Sequence, residues 1–331
     1  MKNDGGVAMD NKNLDALFDE NLPYILNDFL GYLYTVKGKS LNTIDGYKVD
    51  LRLFLKYIKK IKYNLKNEID DIDISDVNAE LIKQITLSDI YSFINYVSIK
   101  RQNSTYARAR KIAAIRSFFN YLETKAKIIK ENPARELESP KINKRHPVYL
   151  TLEQSKKLLD SIKGRNKERD VAIITLFLNC GLRLSELVSI DISKIKGDTL
   201  TVVGKGNKER TVYLNKACIK AINSYLAVRP KDGVVDKDAL FLSERKKRID
   251  KRTVEKLVKK YIISAGLLND KYTPHKLRHT AATLMYKYGK VDIRALQHIL
   301  GHESVSTTQI YTHIDDEILR DAVKSNPLSE E

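Results

Sequence analysis

Apolar positions recur every three or four residues along most of this 331-residue chain, the period of helices that bury one face. From Leu22 to about Lys130 the pattern is almost wholly helical. One helix is expected over Pro23–Val36. A second follows Ser40, with Tyr47, Leu51, Leu53, Phe54, Tyr57 and Ile58 as its apolar stripe. Ser88 is the expected cap of a third, and Ser104 or Thr105 that of a fourth, because a hydroxyl can accept from the free N–H groups of a first turn.

The periodicity lapses over residues 131–149, which hold three of the seven prolines and read as a linker. It resumes at Thr151-Leu152-Glu153-Gln154, where a Gln stands at the position a capping box uses, and Val171–Leu178 reads as a buried helix. Two β-branched runs, Thr199–Val203 and Thr211–Leu214, flank Gly204-Lys205-Gly206-Asn207 and predict a hairpin. Helical spacing returns from Lys216 onwards, with a last short amphipathic segment at Asp315–Lys324. The fold expected is mainly α, with a small antiparallel sheet in the C-terminal domain. The expected divisions are a disordered stretch over 1–20, a helical domain over 21–130, the linker over 131–149, a second domain over 150–326 and a tail over 327–331.

Composition removes several classes. At 42% hydrophobic, with 14 Gly and no low-complexity tract, the chain is neither collagen-like nor wholly disordered. Its longest apolar run, near Val171 to Leu182, is broken by Asn179 and falls short of the ~20 residues that cross a bilayer. No signal segment opens the chain, so a soluble cytoplasmic protein without a membrane partner is expected. Cys180 and Cys218 cannot make a disulfide framework, and no CxxC spacing is present for zinc.

A net charge of +17 points to a polyanionic partner, nucleic acid first. It is unevenly spread. Residues 1–80 carry 11 basic and 14 acidic side chains, residues 81–150 carry 14 and 5, and residues 151–331 carry 34 and 23. Lys100, Arg101, Arg108, Arg110, Lys111 and Arg116 fall in a stretch without one acid, interleaved with Ile112, Ile115, Phe118, Phe119 and Leu122 at helical spacing. That pattern predicts an amphipathic helix whose basic side meets phosphate.

Four phrases in the second half carry candidate chemistry: Cys180-Gly181-Leu182-Arg183-Leu184-Ser185-Glu186-Leu187, Gly204-Lys205-Gly206-Asn207-Lys208-Glu209-Arg210, His275-Lys276-Leu277-Arg278-His279, and Leu300-Gly301-His302-Glu303 with Tyr311 nine positions beyond His302. Singly, each is ordinary surface or structural sequence. In this combination and order they resemble the tyrosine recombinase (phage integrase) family, in fine detail its Xer branch, and the basic helical domain resembles that family's core-binding domain.

The resemblance implies a two-domain C-shaped clamp on double-stranded DNA, made of a helical core-binding (SAM-like) domain and a catalytic domain. It implies that Arg183 and Arg278 clamp the scissile phosphate and that His275 bonds the same phosphate and helps move the nucleophile's proton. Lys205 would protonate the leaving 5′-oxygen, His302 would complete the cradle, Tyr311 would attack, and Glu186 would orient its neighbours. The chemistry is coherent. Arginine, planar and always charged, binds a phosphate bidentately, and a tyrosine hydroxyl of pKa ~10 needs nearby cations to become a nucleophile. A phosphotyrosyl link keeps the energy of the broken bond, so no cofactor is expected, and none of the P-loop spacing is present.

The expected outcome is site-specific recombination through a Holliday junction by a homo- or hetero-tetramer on paired sites. Chromosome or plasmid dimer resolution is the expected task, with a DNA translocase as a candidate activator. The rivals are an integrase of a mobile element, a type IB topoisomerase and a non-catalytic DNA-binding regulator. A zinc site at His275 and His279 is disfavoured, because Lys276 stands where such a helix has Glu and Arg278 would repel the ion.

Overall fold

The computed structural model describes residues 18–141, 148–204, 208–267, 271–289 and 291–301. The chain divides into two compact units, residues 1–144 and 145–331, each with its own core.

The N-terminal unit is all helical: α1 (Tyr24–Thr35), α2 (Leu41–Lys62), α3 (Ala79–Lys83), α4 (Leu87–Ile99) and α5 (Thr105–Thr124). The apolar stripes meet in a centre of aromatic rings, where Phe29 stands edge-on to Phe118 at 5.3 Å and Phe54 to Phe93 at 5.2 Å. Ser104 accepts from the Ala107 N–H and caps α5. The cap of α4 is Thr86 and not Ser88. Asp89, three residues after Thr86, returns a bond to the Thr86 N–H at 2.8 Å, and this capping box sets the start two residues earlier.

Two expected boundaries shift. Asp19 bonds Lys48 at 2.9 Å and Arg52 at 2.5 Å, and Leu22 is buried, so the ordered unit begins before residue 21. The expected disorder of 1–17 lies outside the described residues. Ala134 and Leu137 are buried in the same core, so the front of the segment read as a linker packs onto the helices.

The C-terminal unit runs α6 (Leu152–Asp160), α7 (Lys167–Cys180), α8 (Leu184–Val188), a three-stranded antiparallel sheet, then α9 (Lys216–Val228), α10 (Lys251–Ser264), α11 (Pro274–Gly289) and α12 (Ile293–Leu300). Thr151 and Gln154 form the expected capping box of α6, at 2.9 and 3.2 Å. The sheet is a meander of β1 (Ile195–Lys196), β2 (Thr199–Val203) and β3 (Glu209–Tyr213), with Val202 opposite Arg210. Its first strand, two residues long, has no periodic signal in the sequence.

Helix α7 is the axis of this unit. Ile173, Ile174, Leu176 and Phe177 are fully buried, and α9 and α11 pack on it. Burying such side chains stabilises by about 1.5–3 kcal/mol each. The C-terminal end of α7 is therefore a firm point from which to hang a site. Cys180 and Cys218 are free and buried there, Sγ atoms 3.6 Å apart. Among the described residues no helix is long and apolar enough to cross a membrane.

Candidate active site

Helix α7 stops at Gly181, whose left-handed backbone (φ 59°) ends the helical ladder. A Cβ there would lie 2.8 Å from Leu300 Cδ2, so the ends of α7 and α12 meet closely and a side chain at 181 would have to displace Leu300. After the turn Leu182 is buried and Arg183 stands at the N-cap of the five-residue helix α8.

Glu186 is the hub. It is fully buried and accepts from the Arg183 backbone N–H at 2.7 Å on Oε2 and from Arg183 Nη1 at 2.8 Å on Oε1. Arg210, on β3, donates Nη2 to Oε2 at 2.9 Å and Nε to Oε1 at 3.4 Å. Arg278 Nη1, from α11, stands 3.8 Å from Oε2. Burial disfavours the carboxylate, but the bond and charge of Arg210, followed by the backbone and side-chain hydrogen bonds of Arg183, outweigh it and hold Glu186 below its ordinary pKa. One buried anion thus sits among three guanidiniums.

The same arginines gather the C-terminal carbonyls of α12. Arg210 Nη1 donates to Ile299 O at 2.5 Å, Arg278 Nη2 to Leu300 O at 2.6 Å and Arg183 Nη2 to Gly301 O at 2.6 Å. Arg278 Nη1 also donates to Gly181 O at 2.7 Å. A helix C-terminus offers unpaired carbonyls and partial negative charge, so cations belong there. Gly301 (φ 64°) ends α12 in the left-handed region, and the chain runs on into His302.

Arg183 is about one-third exposed, and among the described residues two of its five side-chain N–H groups are engaged, which leaves three to meet a ligand. His275 and Arg278 are i and i+3 on α11, on one side of the helix. His275 is exposed as a residue, yet the protein crowded round its imidazole, then the charges of Arg278, Lys276 and Arg183, push its pKa below the ordinary value. Its Nε2 lies 3.1 Å from His279 Nε2, with the rings edge to face at 4.5 Å. Among the described residues no group of three or more His, Cys, Asp or Glu side chains is placed to hold a metal.

Four of the seven residues singled out in this half, Arg183, Glu186, His275 and Arg278, come together. Lys205, His302, Tyr311 and the segment 315–324 lie outside the described residues. The hairpin that carries Lys205 is closed at its base by Gly204 N donating to Lys208 O at 2.8 Å. Arg210, the last residue of the hairpin phrase, joins the cluster though the sequence assigns it no role. Its only signal in the sequence is a basic residue inside a strand pattern.

The basic stretch of the N-terminal unit is not one exposed face. Lys100 is the C-cap of α4 and exposed, and Arg101 beside it pairs with Asp70 at 2.7 Å. On α5, Lys111 is buried against Asp50 at 2.7 Å, so it does not face solvent as expected. Arg110, exposed, reaches the same carboxylate at 3.0 Å. Arg108 bonds Ser98 and Thr105, and Arg116 bonds Ser139 and Leu137 O. The acids missing from the local sequence are supplied by α2 and the 69–71 turn.

The C-terminal unit thus gathers three guanidiniums round one buried carboxylate, with an imidazole on the neighbouring helix. Residues 148–317 match the family model described as "Phage integrase family", and residues 26–126 match "Phage integrase, N-terminal SAM-like domain". Tyrosine recombinase XerC of Caldanaerobacter subterraneus subsp. tengcongensis is 60% identical over 324 residues, 97% of this chain and 92% of that protein. Tyrosine recombinase XerC of Thermodesulfovibrio yellowstonii is 36% identical over 94% of this chain and 99% of its own. A crystal structure of XerH site-specific recombinase bound to a palindromic difH substrate shares the fold, with a TM-score of 0.70 at 23% identity, covering 98% of this chain and 90% of that one. The chain belongs to the phage integrase family, as a tyrosine recombinase of the Xer branch.

Proposed function

We propose that this chain performs site-specific recombination by cutting one DNA strand with Tyr311, and that the cluster around Glu186 holds the scissile phosphate. The observation that carries the reading is the convergence of Arg183, Arg210 and Arg278 on one buried carboxylate, with Arg183 still open to a ligand. Arg183 and Arg278 offset the charge that grows on the non-bridging oxygens, in a centre already shaped for it. His275, with a lowered pKa, is neutral near pH 7 and free to accept the Tyr311 proton. The phenolate attacks phosphorus, the bond from phosphorus to the 5′-oxygen breaks, and Lys205 gives that oxygen its proton. His302 adds a further donor. Attack by a second strand's 5′-hydroxyl reverses the step and releases Tyr311, forming a Holliday junction.

Lys100, Arg101 and Arg110, exposed on the N-terminal unit, are the side chains of its basic stretch best placed to meet DNA backbone. Four protomers on two duplexes, in the cytoplasm, with dimer resolution as the task, complete the proposal; what the XerC relatives' names support is recombination by a tyrosine nucleophile. A plasmid with two copies of the cleavage site decides between outcomes. Recombinant circles are expected, whereas supercoil relaxation without recombinants would indicate topoisomerase action.

A further inference from the structure

We propose that Arg210, on β3, is a positioning residue of this site: its guanidinium fork sets Glu186, and through Glu186 sets Arg183, in register with the C-terminal end of α12. The inference rests on the strand-cleavage assignment above and deepens it.

Arg210 spends its N–H groups on the protein. Nε and Nη2 go to the two oxygens of Glu186, and Nη1 goes to Ile299 O, with the side chain only 14% exposed. Arg183 is more exposed and less committed, so Arg183 meets the phosphate and Arg210 acts behind it. A carboxylate has two oxygens to place. Arg183 and Arg210 each reach both, so the plane of Glu186 is fixed by two forks instead of one. Without Arg210 the carboxylate is held by Arg183 alone, and the pair loses its tie to Ile299 O.

Three parts of the unit meet at this side chain. A Cβ on Gly301 would stand 2.8 Å from Arg210 Cδ and 3.1 Å from its Nε, so the end of α12 is moulded to the arginine stem. A Cβ on Gly204 would lie 3.7 Å from Glu186 Oε1, so the β2–β3 hairpin passes beside the same carboxylate. Arg210 also belongs to that hairpin, paired with Val202 across the strands. Lysine cannot reproduce this, since one ammonium cannot reach both carboxylate oxygens and Ile299 O in a planar fork.

The test is single-turnover cleavage of nicked suicide DNA by the full chain and by Arg210→Lys and Arg210→Met. The amplitude of covalent complex gives the active fraction, and the rate constant describes that fraction alone. A change in folding yield moves the amplitude, and a change in positioning moves the rate constant. Both variants are expected to bind the site DNA with little change in affinity and to cleave roughly 10- to 100-fold more slowly, the scale of a small misplacement of reacting groups. A wild-type rate constant in Arg210→Lys overturns the inference, because charge alone then suffices. Loss of DNA affinity with an unchanged saturated rate also overturns it, since Arg210 would then bind DNA. If Arg210→Met yields no folded protein, Arg210→Lys decides by the same criterion. Absence of any covalent complex with the unaltered chain would instead overturn the cleavage assignment.

Discussion

Arg183 donates twice to Glu186, from its backbone N–H to Oε2 at 2.7 Å and from Nη1 to Oε1 at 2.8 Å. The carboxylate stands at the third position of the helix that Arg183 caps, so a three-residue spacing in the sequence fixes both the start of the helix and the aim of the guanidinium. From the sequence, Glu186 is expected to play a supporting part. Its complete burial gives that part an energetic scale.

Glu186→Ala leaves three guanidiniums around an empty, water-poor space. Removing one partner of a buried ion pair costs about 3–5 kcal/mol. Urea denaturation of the full chain should show the C-terminal unit's transition weakened by that order, with the N-terminal unit unchanged. A loss below ~1 kcal/mol, the range of exposed pairs, would show that the hub is solvated.

Gly301 and Gly197 share a left-handed backbone, at φ 64° and 60°, but only Gly301 has a neighbour where a Cβ would stand. Alanine at either position costs about 1–2 kcal/mol for the backbone alone. Gly197→Ala should stop there and cleave at the unaltered rate. Gly301→Ala should also displace Arg210 and slow cleavage at least roughly tenfold. Equal cleavage rates in the two variants, compared at equal active fraction, would dissociate the end of α12 from the chemistry.

The pKa of His275 lies below its ordinary value of 6.5, through burial first and then through Arg278, Lys276 and Arg183. As pH falls through 6.5 the unfolded chain takes up this proton before the folded one, so the group subtracts from stability below 6.5 and is neutral in the fold above it. Imidazole resonances of the free protein, assigned with His275→Gln, should titrate with a midpoint under 6.5. A midpoint at or above that value would mean that a nearby anion outweighs the cations.

On α5, Lys111 and Asp50 form a buried pair at 2.7 Å. Lys111→Ala should destabilise the N-terminal unit, but by less than the ~3–5 kcal/mol of a wholly unpaired buried charge, because Arg110 still reaches Asp50. Lys100→Ala should leave stability alone and lower the dependence of log affinity on log salt by roughly 0.9, the contribution of one phosphate contact. The reverse assignment of the two effects would restore the reading of Lys111 as a DNA contact.

Lys111 also shows where the sequence stopped being informative. Its local neighbours are basic and apolar, and the acid that buries it lies 61 residues earlier on α2. Arg210 is the same case in the other unit, since the carbonyl it reaches is 89 residues downstream. Arg183, His275 and Arg278 were legible because they stand in short phrases whose order repeats a family pattern. The long helices were legible because each buries one face over several turns. The two-residue strand β1 and the five-residue helix α3 are too short for a period to appear. The start of α4 turned on which of two hydroxyls found a partner, and Asp89 supplied it to Thr86.

Strand cleavage as proposed here requires the chain to join itself to DNA through Tyr311. Incubation with nicked suicide DNA, followed by denaturing electrophoresis and peptide mapping, tests it directly. A covalent complex whose nucleotide adduct maps to Tyr311, and which is absent in Tyr311→Phe, is expected. A complex that persists in Tyr311→Phe, or none from the unaltered chain on its own cleavage site, would contradict it.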